Sequence, residues 1–152
     1  MDEVVTGEAA VGKTPTHLWA LGILALLWNC VGAYDYLMSN IGGLIYFESA
    51  GLDGAAYEWF KAMPVWAVAA WAIGVWGSVL GSLLLLIRSR HAATVYLVSI
   101  AGAVIAFAYQ FGSNRPPSMQ GGMVTVVPLV ILILIVAQWY YARRMAQAGV
   151  LR

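Results

Sequence analysis

Residues 64–87 read PVWAVAAWAIGVWGSVLGSLLLLI, and no charged side chain interrupts them. A helix crossing the ~30 Å hydrocarbon layer needs about 20 apolar residues, so this stretch is long enough to span a bilayer. Its apolar residues are continuous instead of alternating, which argues against a strand. Three further stretches share its character: His17 to Met38, Ala92 to Gln110 and Met123 to Tyr141. Four strands cannot close into a barrel and satisfy their edges in lipid, whereas helices pair their own backbone groups. The chain is therefore expected to be an all-α integral membrane protein. Its architecture is a four-transmembrane-helix bundle, in one domain covering residues 1–152.

Composition agrees. Of 152 residues, 62% are hydrophobic and 10% are charged, against ~45–50% and ~25% in soluble domains. One aqueous core in so short a chain could not hide this much apolar surface. Eight Lys and Arg against seven Asp and Glu leave a net charge of +1, too small an excess to hold nucleic acid. Cys30 is the single cysteine, so disulfide, CxxC redox and cysteine-zinc chemistry are excluded within one chain. The connecting segments Ser39 to Met63 and Gly112 to Gly122 are polar and rich in glycine or proline, and leave no room for a second domain.

Basic residues near span ends are retained in the cytoplasm, which sets orientation. Lys13, Arg88, Arg90, Arg143, Arg144 and Arg152 fall on one side of a four-span chain, and Lys61 and Arg115 on the other. Both termini are accordingly expected in the cytoplasm. The acidic start MDEVVTGEAAVGK and the full-length apolar run behind it argue against a cleaved signal peptide. Trp19, Trp59, Trp66, Trp139, Tyr140 and Tyr141 lie at span ends, where they suit interfacial anchoring.

Helices in lipid associate where small residues let backbones approach. Ala67, Ala70, Gly74, Gly77 and Gly81 recur at spacings of three and four in the second span, with Ser78 and Ser82 beside them. Ser99, Gly102, Ala103 and Ala106 repeat the pattern in the third. These two faces are expected to meet across the short turn Arg88 to His91. Pro128, near the start of the fourth span, is read as a passive helix start, where a missing N–H would cost nothing, or a mild kink, with a gating hinge as the other reading.

Most motifs fail on context. Gly7, Gly12, Lys13 and Thr14 match a Walker A pattern, but Pro15 and a span follow at once, with no α/β domain to supply a strand. His17 and His91 each begin a span at the inner face; they suit the headgroup region, or axial ligation of a haem. No HExxH motif, intramembrane Ser/His pair or carboxylate pair is present, so an enzyme is not expected and no catalytic or metal residue is assigned. The outer segment GAAYEWFKAM is expected to form a short amphipathic helix. Ala56, Trp59, Phe60 and Met63 would face the membrane, and the helix would cap the bundle.

Asp35 is the one formally charged residue inside a span. A charge at mid-span costs roughly 2.5–3.5 kcal/mol and less towards the ends. Eighteen residues separate it from His17, or ~27 Å of helix, which places it near the outer headgroups. Trp28, Gly32 and Asp35 share one stripe, and Asn29, Ala33 and Tyr36 the next, forming a polar, aromatic face that opens outward. Asp35 is expected to pair with Lys61 or Arg115, either as an ion pair tying a loop to the first span or as part of a substrate or proton site.

The segments LWNCVGAYDYLM, PVWAVAAWAIGVWGSVLGSLLLLIRSR and WYYARRMAQAGVLR together resemble small four-span inner-membrane proteins of proteobacteria, a family often labelled "sugar transporter". The matching positions are Trp28, Asn29, Gly32, Asp35, Tyr36, Pro64, Trp66, Trp71, Gly74, Trp76, Gly81 and Ser82. The resemblance implies a bacterial inner-membrane location and transport or binding of a small polar, sugar-like solute. Trp28, Asn29, Asp35, Tyr36, Trp71 and Ser78 are the candidate substrate-binding residues, with no bound cofactor. Four spans leave little room for two alternating-access halves, so a homodimer is expected. The competing readings are a scaffold or assembly factor whose second-span glycines seat partner helices and, more remotely, a haem or quinone carrier.

Overall fold

A computed structural model describes residues 14–152 and is all-helical over them. Four helices are long and apolar enough to cross a membrane: α1 (Thr16–Ile41), α4 (Val65–Leu86), α5 (Ala92–Gly112) and α6 (Met123–Gln147). Two short helices, α2 (Gly43–Ser49) and α3 (Gly54–Lys61), follow α1, and a 3-10 turn over Pro117–Met119 precedes α6. Ser39 to Met63, read as a polar connection holding one short helix, the present α3, contains a second one, α2. Within it, LIYF is apolar enough to form a helix that buries Phe47.

Pro15 and Pro64 stand immediately before α1 and α4 in extended conformation, where a missing N–H leaves no bond unmade. The glycines of α4 turn onto α5 as their spacing requires. A Cβ built at Gly74 would lie 3.0 Å from the backbone nitrogen of Ala103, one at Gly77 2.9 Å from Ser99 Cβ, and one at Gly81 2.8 Å from the Tyr96 ring. On the facing helix, a Cβ at Gly102 would meet the Ala70 carbonyl at 2.7 Å. The Ser99 hydroxyl donates to the Gly74 carbonyl across the same contact. The stripe is thus spent inside the chain.

Packing runs in sequence, α1 against α4, α4 against α5 and α5 against α6. The seam between α1 and α6 is bridged by side chains towards the end of the bundle that carries the start of α1 and the end of α6, labelled the inner end after the orientation expected above and its opposite the outer end, where His17 Nδ1 lies 2.6 Å from the Tyr141 hydroxyl and Asn29 reaches Gln138. Leu18, Leu85, Ala92, Tyr96, Ile135 and Ala142 form the inner core, joined by Val150 and Leu151. Those last two residues fold back because α6 ends in a Schellman turn: Gly149 takes φ +71°, and Val150 N–H reaches the Met145 carbonyl. Helix α4 ends in the same turn with Arg88 at φ +62°. A non-glycine there costs about 1–2 kcal/mol. The terminus holds it, since Arg152 N–H donates to the Arg88 carbonyl at 2.7 Å and Arg90 N–H to the Arg152 carbonyl at 2.9 Å.

The outer end has its own small core of Phe47, Ala56 and Met119. Asp53 caps α3, accepting from Ala56 N–H at 2.9 Å, and the Ser118 hydroxyl donates to it at 2.8 Å. These bonds hold its carboxyl below the ordinary value of 3.8. Helix α3 does cap the bundle, but its expected orientation is corrected. Ala56 is fully buried, and Trp59 and Phe60 pack inward on Phe47 and Met119. Burying that face against α2 removes more apolar surface from water than laying it on headgroups.

Pro128 is not a helix start. Helix α6 begins at Met123, so Pro128 falls in its second turn, buried. Its missing N–H deprives the Val124 carbonyl of an intrahelical donor.

Candidate functional site

Towards the outer end, α1, α4, α5 and α6 surround a cavity of about 480 Å³ beneath the cap of α2 and α3. Its walls carry Trp28, Gly32, Trp71, Phe107, Ile131 and Ile135, and its roof Phe47, Trp59, Phe60 and Met119. Val124 and Pro128, the pair whose backbone bond is lost, line it as well.

The floor is a polar knot. The buried Asn29 amide nitrogen reaches the Ser78 carbonyl at 3.1 Å, Ser82 Oγ at 2.9 Å and Gln138 Oε1 at 2.9 Å. Ser82 Oγ donates to the Ser78 carbonyl at 3.0 Å and lies 2.9 Å from the Tyr96 hydroxyl. All four long helices are tied at this level, and among the described residues no buried side-chain polar atom is left unpaired. Such a network is worth most in a low-dielectric interior, where each broken bond exposes a desolvated group.

At the rim, Asp35 accepts a 2.6 Å hydrogen bond from the Tyr46 hydroxyl of α2. Partial burial, and next the bond to Asp35 and its charge, push the Tyr46 phenol above its ordinary value, so it remains a donor. The expected ion pair of Asp35 is not formed. Lys61 lies 3.6 Å from Glu58, one helical turn back, and above the Tyr57 ring. Arg115 donates to the Met119 carbonyl at 3.0 Å and sits over Phe111. Each cation finds a partner within its own segment, at smaller entropic cost than reaching across the bundle.

Of the six candidate residues, Trp28, Asn29, Asp35, Trp71 and Ser78 line the cavity. Tyr36 does not: its ring meets Trp71 edge-on at 4.8 Å and Trp76 at 6.5 Å, so it backs the wall. Ser78 contributes its carbonyl to the knot, since its hydroxyl donates to the Val75 carbonyl at 2.7 Å. Trp59, expected as a lipid anchor, meets Phe60 edge-on and Tyr109 at a tilt, and lines the cavity.

Sequence reasoning missed Tyr46, Phe47, Gln110 and Met119 at the site and Gln138 beneath it. The apolar LIYF run and the isolated glutamines in apolar helices were the available signals. His17, one of the two histidines considered for haem, engages Tyr141 through Nδ1 and in an edge-on ring contact at 5.8 Å. Of the Walker A pattern, residues 7–13 lie outside the described residues, and Thr14 stands just before Pro15 and α1. Compared with protein-family models, with curated proteins and with solved structures, the chain finds no match.

Proposed function

We propose that this protein binds a small solute in its outer cavity and moves it across a bacterial inner membrane as a homodimer, with both termini cytoplasmic. The carrying observation is the cavity itself, sealed below by the Asn29 knot and edged by Asp35 and Tyr46. Concave, largely apolar sites with a few placed polar groups are the usual form of small-molecule sites. The six-to-two split of basic residues supports the orientation. The resemblance of the first two spans to the "sugar transporter" family supports transport. A second copy would supply the half that alternating access requires. The scaffold reading loses its main surface, because Gly74, Gly77 and Gly81 are covered by α5.

Native mass spectrometry after extraction in mild detergent tests this. A dimer retaining a small molecule is the expected result, with the molecule absent from Gly32→Leu, which fills the cavity wall. An empty monomer, or a chain found only inside a larger membrane complex, would overturn the reading.

A further inference from the structure

We infer that the cavity takes an amphipathic organic monocation, its charged centre at Asp35 and its apolar body among the aromatic rings. This rests on the solute-binding reading above and names its substrate class. Among the described residues, Asp35 is the only formally charged side chain lining the cavity. Tyr46 offers it a hydrogen bond and no charge, and the only ion pair among the described residues is Lys61 with Glu58. A carboxylate at the membrane edge without a cation is a cost to the fold, and an incoming cation would relieve it.

The walls point the same way. Trp28, Phe47, Trp59, Phe60, Trp71 and Phe107 surround the space, and aromatic faces attract cations most strongly where water is excluded. A sugar is a poorer fit. The Asn29 N–H groups are already committed to Ser78, Ser82 and Gln138, leaving Gln110 and the Asn29 carbonyl oxygen as polar partners in a mostly apolar wall, so most hydroxyls of a sugar would be buried there at a penalty. Entry follows from exposure: Val31 and Val127 line the cavity yet are 65% and 42% exposed, on α1 and α6. The mouth thus includes the α1/α6 seam at the depth of the spans, where an amphipathic cation concentrates from the bilayer.

Radiolabelled tetraphenylphosphonium binding to the full-length protein in lipid nanodiscs tests this, with n-octyl glucoside displacement as the uncharged arm. We expect saturable binding, weakened by about tenfold or more in Asp35→Asn, the fold-change of a lost charged contact. Binding should also be lost in Gly32→Leu, where a Cβ meets nothing within 4 Å, so that the fold is kept. Equal binding to wild type and Asp35→Asn, or none to wild type, overturns the inference. If octyl glucoside binds wild type and Asp35→Asn alike but not Gly32→Leu, the solute site stands and the cation assignment falls. If neither probe binds, both fall.

Discussion

The two ends of the bundle are built from the same four helices and behave differently. At the inner end, Leu18, Tyr96 and Ala142 are fully buried, Leu85 is nearly so, and the C-terminal residues close the base. At the outer end the same helices enclose a cavity, and a separate cap of Phe47, Ala56 and Met119 covers it. The small-residue contact between α4 and α5 continues through both levels, from Gly102 on Ala70 to Gly81 on Tyr96. What changes is the α1/α6 seam, bridged at the inner end by His17 with Tyr141 and by Asn29 with Gln138. Van der Waals contact between bare backbones holds a helix pair along its whole length, whereas side-chain hydrogen bonds hold it only where they occur.

The strongest way to break both ends together is Gly102→Leu. Its side chain would meet the Ala70 carbonyl at 2.7 Å and the Gly74 nitrogen at 2.8 Å, and backbone atoms cannot step aside. A loss of more than about 3 kcal/mol is expected, at the upper end of overpacking costs, read as failure to recover folded protein in detergent. Asn29→Ala should strike the boundary between the two ends. It leaves Gln138 Oε1 without its donor and takes from Ser82 Oγ one of two, the Tyr96 hydroxyl remaining, a cost of about 1–3 kcal/mol, read as a lower thermal midpoint. An unchanged midpoint would show that the floor does not depend on the knot. The residue is accordingly a strut of the floor, and any loss of solute binding in this variant should accompany loss of stability.

Gly32→Leu should act on the outer end alone. Leaving the inner packing untouched, it replaces a helical glycine and should raise stability by roughly 0.5–1 kcal/mol while emptying the cavity of ligand. A lower midpoint would place Gly32 against a neighbour and contradict the open wall. The smallest effect concerns the cap. The carboxyl of Asp53 is held below 3.8, so its contribution is present above that value and is lost as pH falls below it. Hydrogen exchange at Ala56 N–H should quicken relative to the inner core below about pH 3.8, and Ser118→Ala should shift the change to higher pH. Equal protection at pH 3 and pH 5 would remove Asp53 as the cap's pH-dependent tie.

The four spans, their approximate ends and the α4/α5 face were legible because each depends on local properties of the chain. Apolar length sets a span, and a glycine stripe at helical spacing sets a close approach. Trp28, Asn29 and Asp35 could be placed on neighbouring stripes of one helix for the same reason. The sequence alone could not say what faces them. That Lys61 and Arg115 are satisfied locally while Asp35 takes Tyr46 depends on where α2 folds back over the bundle. That α3 turns its aromatics inward depends on Phe47 and Met119 arriving beside it from distant parts of the chain. Periodicity assigns a residue to a face of its own helix. Whether that face meets protein, lipid or an open cavity is a property of the neighbours, and only the tertiary structure brings those together.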